Sequence, residues 1–284
     1  MLANLLKMDE RVNYIGEPKY IWKYKNFSAG HDKLTKDHIT PEIQYHIRNT
    51  FQNYLTENGG DILLEKTPSN SLRFEFVYNL FPKAKFIHII RNGIDVAFSA
   101  KKRWCGEYTK TEKVYKTYLK EISSATKRRS KRRWLDTETR FVDMLLDLNY
   151  IIPLYMNNMG LLKHSIWGPV YPGIRQDYKN LDLIEVCALQ WKHSVDSVLD
   201  FKNSSDFRGD YFEIRYEDIV EGNFNKIMEM FEFSGICMNI KSKKYLQTIC
   251  DNYQKKTYSL NPGEKEKELI LKHSQNTLTS LGYS

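Results

Sequence analysis

The sequence predicts an α/β fold of three layers, α/β/α, with a central parallel sheet. Apolar segments typical of buried strands alternate with amphipathic helical segments along much of the chain, which is the pattern of strands joined by crossover helices. Charged residues stand where these strands end, as Lys66 and Arg91 do. Because ligands of such folds bind beyond the carboxyl ends of the strands, we expect the functional site at that edge.

The composition is that of a globular protein, with 41% hydrophobic residues among 284 and a net charge of +8. This charge favours anionic ligands, whether nucleotide, nucleic acid, glycan or membrane surface. The four cysteines lie far apart without a CxxC pair, which argues against a zinc site or a disulfide framework and favours a cytoplasmic location. No segment is long and apolar enough to predict a membrane span, and no signal peptide is evident.

The first third of the chain supplies a helix, a strand and a second helix. "MLANLLKM" has apolar residues at helical spacing but no capping residue before them. "VNYIGE" predicts a short strand that ends at Gly16-Glu17. In the next helix Thr40 is the predicted N-cap and Pro41 the first helical residue, and Gly59 ends it.

Two strands and their helices follow. "DILLEKTP" predicts a buried strand with a polar end at Glu65-Lys66, and Ser69 or Asn70 is the predicted cap of a helix that runs to Leu80. "AKFIHIIR" is nearly continuous in apolar residues, as expected for a parallel strand covered on both faces. Gly93 then makes the turn into a helix with the sequence "IDVAFSAKKRW".

The remainder is predicted to complete one domain spanning residues 1–284. Cys105 to about Lys179 changes character, with a basic run and a Gly/Pro/aromatic loop, and is predicted to be an inserted helical lid that contacts the acceptor. "DLIEVCALQWKHSVDSVLDF" predicts a long helix, "DYFEIRYEDIV" a strand and "NFNKIMEMFEFSGI" a further helix.

Four basic or hydroxyl side chains form the predicted anion site. Arg91 ends a strand, and its planar fork suits a phosphate group. Ser99 and Arg103 follow on one face of the next helix. The spacing fits equally well an Arg91 paired with Asp95. Lys66 at its strand end can place a cation on a leaving-group oxygen, or it can be an ordinary surface lysine.

The segments "EKTPSNSLR" and "LFPKAKFIHIIRNGIDVAFSAKKRW" resemble the sulfotransferase family. "YIGEPKYIW", "RYEDIV" and "TLTSLGY" extend the likeness, which leaves the insert from Cys105 to Lys179 poorly matched. These enzymes transfer a sulfuryl group from 3'-phosphoadenosine 5'-phosphosulfate (PAPS). The resemblance is to bacterial-type members similar to the Golgi-type and protein-tyrosine branch. It implies a fold related to that of the P-loop nucleotide hydrolases.

The resemblance also implies roles for residues. Arg91 and Ser99 match positions that hold the 3'-phosphate, with Arg103 in support, and Lys66 matches a lysine near the sulfate bridge. Glu17 matches a carboxylate base, provided that burial raises its pKa; a helix-capping or salt-bridged carboxylate is the alternative. PAPS is the implied co-substrate and PAP (3'-phosphoadenosine 5'-phosphate) the product. The implied acceptor is a hydroxyl or amine on a glycan or small molecule, and no metal is expected.

One part of the family pattern has no counterpart in this sequence. The family carries a phosphate-binding loop of the form "PRSGTT" between its first strand and first helix. "MLANLLKM" is similar to the helix that should follow that loop. We therefore expect an N-terminal strand to be missing. The chain is then either a fragment whose loop is encoded upstream or a truncated paralogue that binds without catalysing. In both cases we expect little or no transferase activity.

Two other functional classes remain open. The basic run "KRRSKRRW", with Arg128, Arg129, Arg132 and Arg133, could bind nucleic acid or another polyanion. A P-loop kinase or nucleotide hydrolase would need G-x-x-x-x-G-K-[ST], and this pattern is absent from the sequence. A non-catalytic relic that serves as a binding module is the remaining alternative.

Overall fold

The computed structural model describes residues 1–105, 166–255 and 262–283. For residue 255 only the backbone is described. The described chain mixes helices with short parallel strands. In chain order these elements are α1 (Leu2–Leu6), β1 (Val12–Gly16), α2 (Lys19–Trp22), α3 (Pro41–Asn58), β2 (Ile62–Lys66), α4 (Phe74–Leu80), β3 (Lys85–Ile90), α5 (Gly93–Trp104), α6 (Ile174–Asn180), α7 (Leu183–Lys202), β4 (Asp210–Arg215), α8 (Tyr216–Val220), α9 (Phe224–Ser234), α10 (Ile240–Lys255) and α11 (Glu264–Ser280).

The strands form two parallel pairs. β1 pairs with β2, in a register that places Val12 opposite Ile62 and Gly16 opposite Lys66. β3 pairs with β4, from Lys85 opposite Asp210 to Ile90 opposite Arg215. The predicted parallel strands are thus present, but the described residues form two two-stranded sheets in place of one central sheet. A cavity, described below, lies between β2 and β3.

Most predicted helix boundaries agree with the structure. The Thr40 hydroxyl accepts a hydrogen bond from Ile43 N at 3.2 Å, as expected of an N-cap. Asp182 caps α7, where Asp182 N donates to Glu185 Oε2 at 3.1 Å. Helix α4 differs from the prediction: a 3₁₀ turn at Pro68–Ser71 comes first, so neither Ser69 nor Asn70 caps it.

The predicted strand "DYFEIRYEDIV" is only half correct. β4 ends at Arg215, and Tyr216–Val220 form helix α8. The backbone N–H of Arg215 donates to Asp218 Oδ2 at 3.2 Å, so a carboxylate three residues ahead satisfies a donor at the start of the helix. This cap stops the strand and turns the chain at the carboxyl end of β4.

The predicted helical lid lies mostly outside the described residues, as does the whole basic run from Lys127 to Arg133. Its last part is described, and it contains α6 and the loop before it. In the described helices no stretch is both long and apolar enough to cross a bilayer.

Glu185 joins helices α7 and α11. It is only 5% exposed, and its Oε1 lies 2.8 Å from His273 Nε2 and 2.9 Å from Lys272 Nζ. Burial opposes ionisation of Glu185, but the hydrogen bonds from His273 and Lys272 outweigh it and lower the pKa to about 2. Because this pKa is below the unfolded value, Glu185 contributes stability at neutral pH, and the contribution is lost as the pH falls from about 4.3 towards 2.

We therefore expect Glu185→Gln to lower the free energy of unfolding by roughly 2 kcal/mol at pH 7, with a much smaller effect at pH 2.5. Urea unfolding at both pH values measures this difference. The control is Glu268→Gln, because Glu268 is exposed on the same helix α11. An equal loss for Glu185→Gln at both pH values would contradict the assigned charge interaction.

Candidate functional site

A cavity of about 810 Å³ lies between β2 and β3. Lys66, the last residue of β2, and Arg91, the residue after β3, both line it. Between these ends the walls are mainly apolar, with Trp191 of α7 among the lining residues. The structure thus brings together two of the predicted site residues at the ends of two different strands. Three other predicted site residues are not among the described residues that line the cavity: Glu17, Ser99 and Arg103.

Arg91 is held by contacts on several sides. Its guanidinium carbon lies 4.5 Å from the centre of the Tyr216 ring, a cation–π contact. Its Nη2 lies 3.2 Å from Asp95 Oδ2, so the alternative pairing with Asp95 is present. Its Nε is buried and has no hydrogen-bond partner among the described residues. A buried N–H without a partner is costly, so this donor still needs an acceptor.

The turn after β3 is fixed by hydrogen bonds. Asn92 Oδ1 accepts from Ile94 N at 2.9 Å and caps α5, while Asn92 N donates to Glu217 Oε1 at 3.1 Å. Trp191 Nε1 donates to the carbonyl oxygen of Arg91 at 3.1 Å. A side chain at Gly93 would meet the Trp191 ring at 2.7 Å, so glycine is needed for this close packing. Glu217 thus helps to hold the turn after β3.

Ser99 and Arg103 lie on α5 at helical spacing from Asp95, which places all three on one helix face. Ser99 is half-buried and Arg103 is exposed. The guanidinium carbon of Arg103 lies 5.7 Å from the centre of the Trp167 ring, and Trp167 lines the cavity. Arg103 therefore reaches the rim of the cavity through an aromatic neighbour.

Glu17 and Lys66 form an ion pair. Lys66 Nζ donates to Glu17 Oε1 at 2.7 Å, and the two side chains are 48% and 47% exposed. Glu17 adopts a positive φ of 52° directly after β1, a conformation that is uncommon for a residue other than glycine. Glu17 therefore lacks the burial on which its implied role as a base depends. The salt-bridged alternative is the observed arrangement.

Glu65 is a carboxylate at the cavity that the sequence reasoning did not single out. Its Oε1 accepts from Trp22 Nε1 at 3.0 Å and from Thr67 Oγ1 at 2.5 Å, and its Oε2 accepts from Asn70 Nδ2 at 2.7 Å. Burial raises the pKa of Glu65, against the effect of these hydrogen bonds. A buried carboxylate with a raised pKa in a cavity is a candidate proton acceptor. The sequence signal that could have identified Glu65 is its position beside Lys66 at the end of β2.

His88 of β3 also lines the cavity and was not predicted to do so. Its Nδ1 lies 2.8 Å from the hydroxyl of Tyr211, which donates to Glu213 Oε2 at 3.0 Å. Burial lowers the pKa of His88 to about 4, so this imidazole is neutral at neutral pH. The cavity wall between its charged ends therefore carries no positive charge from His88. Within the described ranges, no cluster of three or more His, Cys, Asp or Glu side chains is arranged to hold a metal ion.

Comparison with known proteins adds one finding. Residues 17–150 match a family described as the sulfotransferase family. The match begins at Glu17, includes Lys66 and Arg91, and extends into the segment that the sequence analysis treated as a poorly matched insert. The chain has no significant match among curated proteins or among solved structures. The similarity to the sulfotransferase family therefore spans residues 17–150, somewhat under half of this chain.

Proposed function

We propose that the chain binds PAPS and supplies part of a site that transfers the sulfuryl group to a hydroxyl or amine acceptor. Because the sequence has no loop of the form "PRSGTT", we expect little or no transfer by the chain as it stands. The observation that carries this proposal is Arg91, whose guanidinium is fixed at the end of β3 with a buried Nε that lacks a partner. The family match supports sulfuryl transfer in general. The donor nucleotide, the acceptor on a glycan or small molecule, and the residue roles below are parts of the proposal.

Arg91 is the proposed anchor of the 3'-phosphate. Arg91 Nη2 donates to Asp95. A guanidinium has five N–H donors, so the Nε–H remains to donate to a phosphate oxygen. The cation–π contact with Tyr216 and the hydrogen bond from Trp191 to the Arg91 carbonyl hold the group in place before the ligand arrives. Ser99 and Arg103, on the adjoining face of α5, supply a hydroxyl and a second cation at the same edge.

Lys66 is the proposed cation at the sulfate bridge. Sulfuryl transfer is an in-line displacement comparable to phosphoryl transfer. The acceptor oxygen or nitrogen forms a bond to sulfur while the bond from sulfur to the 5'-phosphate oxygen breaks, and the leaving PAP takes the electron pair. The ammonium of Lys66 stabilises the negative charge that develops on that oxygen. A protein carboxylate accepts the acceptor's proton.

Two carboxylates are candidates for the proton acceptor. Glu17 lies 2.7 Å from Lys66 and is exposed, and Glu65 lines the cavity with a raised pKa. Glu17 is the proton acceptor that the family resemblance implies, and Glu65 is the second candidate for that role. Comparing Glu17→Gln with Glu65→Gln in a transfer assay separates them, since the variant of the true base loses kcat while its affinity for PAP stays unchanged.

The first test of the proposal is calorimetric binding of PAP to the full chain, with adenosine 5'-monophosphate as the matched ligand without a 3'-phosphate. We expect PAP to bind at least about tenfold more tightly, since a charge-assisted phosphate contact contributes about 1.5–3 kcal/mol. Equal affinity for the two nucleotides would overturn the assignment of the 3'-phosphate site.

The second test is transfer of labelled sulfate from PAPS to a panel of phenols, amines and oligosaccharides. Where transfer is measurable, we expect Lys66→Met to lower kcat by about 100-fold or more with little change in PAP affinity, because the lost charge acts on the leaving oxygen. Tight PAP binding without transfer to any acceptor would favour the non-catalytic binding module instead.

A further inference from the structure

The last described residues of the chain lie against the carboxyl end of β3. After α11, Gly282 adopts a positive φ of 71°, and the chain reverses so that Tyr283 N donates to the carbonyl oxygen of Leu278 at 2.9 Å. The Tyr283 side chain is buried in a hydrophobic cluster with Ile90, the last residue of β3, and with Trp191 of α7. A segment that is remote in sequence therefore packs where β3 ends.

The hydroxyl of Tyr283 is connected to the turn after β3 through one carboxylate. Tyr283 Oη donates to Glu217 Oε2 at 2.9 Å, and Glu217 Oε1 accepts from Asn92 N at 3.1 Å. Burial and the neighbouring Glu217 carboxylate raise the pKa of Tyr283, so its hydroxyl keeps its proton and donates at neutral pH. Two hydrogen bonds thus join Tyr283 to the backbone N–H beside Arg91.

Arg215, the last residue of β4, holds the same segment. Its Nη2 donates to the carbonyl oxygen two residues before Tyr283 at 2.5 Å, and its guanidinium carbon lies 4.8 Å from the centre of the Tyr283 ring. Arg215 and Glu217 stand on either side of Tyr216, whose ring lies against the Arg91 guanidinium. The segment is therefore attached on both sides of the residue that supports Arg91.

We propose that the Tyr283 hydroxyl is a positioning group for Arg91, which it orients through Glu217 and the turn after β3. This inference rests on the proposed function, in which Arg91 binds the 3'-phosphate. Glu217 and Tyr283 are not among the described residues that line the cavity, so they act through Arg91 and not by touching the nucleotide. Without the hydroxyl, Glu217 Oε2 loses its donor and the turn is less ordered before binding. Ordering it during binding costs affinity.

Tyr283→Phe tests the proposal, because it removes the hydroxyl and keeps the buried ring. We expect PAP affinity measured by calorimetry to fall about fivefold or more, a size typical of residues in one hydrogen-bond network. Affinity for adenosine 5'-monophosphate should change far less, because this nucleotide has no 3'-phosphate for Arg91 to hold. Urea unfolding of the variant shows whether the fold is retained.

The matched control is Tyr54→Phe. The Tyr54 hydroxyl donates to the carbonyl oxygen of Tyr14 at 2.8 Å, on β1 in the other strand pair. We expect its PAP affinity to stay within about twofold of the unaltered chain, as for sites that do not interact.

A double variant separates positioning from general loosening of the fold. When Tyr283→Phe is added to Arg91→Ala, we expect no further loss of PAP affinity, because the hydroxyl then has no guanidinium to orient. A further loss equal to that caused by Tyr283→Phe alone would overturn the proposal. Equal losses of affinity for PAP and for adenosine 5'-monophosphate in Tyr283→Phe would overturn it as well.

A measurement without nucleotide keeps this inference distinct from the proposed function. The Nε–H signal of Arg91 in a proton–nitrogen correlation spectrum is assigned by its absence in Arg91→Lys. We expect this signal to move in Tyr283→Phe and to stay in place in Tyr54→Phe. An unmoved signal in Tyr283→Phe would overturn the positioning role. Failure of the unaltered chain to bind PAP would contradict the proposed function, and the Nε–H signal would still decide whether Tyr283 orients Arg91.

Discussion

Arg91→Ala is expected to weaken PAP binding by at least about 100-fold. The substitution removes a cation that is already positioned by Tyr216 and whose Nε has no other partner. Loss of one or two charge-assisted hydrogen bonds costs about 1.5–3 kcal/mol each, and 100-fold corresponds to about 2.7 kcal/mol. Calorimetry with PAP measures the change, and affinity for adenosine 5'-monophosphate should change far less.

The matched control is Arg208→Ala. Arg208 precedes β4, at the opposite end of the β3–β4 pair from Arg91, and the variant makes the same change in net charge. We expect its PAP affinity to stay within about twofold of the unaltered chain, since exposed charges separated by more than about 10 Å are largely screened at 0.1 M salt. Equal losses for both variants would show that net charge, and not a positioned guanidinium, attracts the nucleotide.

Asp32→Ala is expected to lower the free energy of unfolding by about 3–5 kcal/mol, the usual cost of breaking a buried ion pair. Asp32 is 6% exposed. Its Oδ1 lies 2.9 Å from Lys23 Nζ and 3.4 Å from Arg73 Nη2. Its Oδ2 accepts from Ser69 Oγ at 2.7 Å and from Val170 N at 2.9 Å. One carboxylate thus joins the turn after β2 to the loop before α6.

Arg73 is the reason for the size of this effect. It is completely buried, and its Nη1 and Nη2 have no hydrogen-bond partner among the described residues. Burial disfavours the ionised form of Asp32, but Arg73 and Lys23 outweigh it and hold the pKa of Asp32 below its usual value. Without Asp32, a buried guanidinium would lose its nearest counter-charge.

The double variant Asp32→Leu with Arg73→Met tests this explanation. Replacing both partners of a buried pair by apolar groups can be nearly neutral, so we expect the double variant to recover part of the stability lost in Asp32→Ala. Urea unfolding measures the three free energies. If the double variant is less stable than Asp32→Ala, the hydrogen bonds to Ser69 and Val170 dominate over the charge pair.

Local chemistry explains what the sequence predicted correctly. Thr40 and Pro41 begin α3, and Asp182 begins α7, because caps depend on neighbours within one helical turn. The strands at Ile62–Lys66 and Lys85–Ile90 follow from apolar runs bounded by polar ends. The YEDIV segment was wrongly predicted as the end of a strand. Its helix begins with a cap in which the Asp218 carboxylate accepts from Arg215 N, and strand propensity does not reveal such a cap.

The candidate site was predictable only in part. Arg91 and Lys66 were found because each stands at a strand end. Glu65 and His88 were not singled out, because their importance depends on burial, which raises the pKa of one and lowers that of the other. No pattern of neighbouring residues encodes the burial that Trp22 and Tyr211, distant in sequence, impose on these two side chains.

By itself, the sequence determined the alternation of strands and helices, the basic residues at the strand ends and the resemblance to the sulfotransferase family. Those properties are written in residue types and short spacings. The tertiary structure decided that the strands form two pairs with a cavity between them, that Arg91 pairs with Asp95 and that Glu17 is exposed. These features depend on which segments pack together over long sequence separations, and that outcome is set by burial and backbone pairing rather than by local pattern.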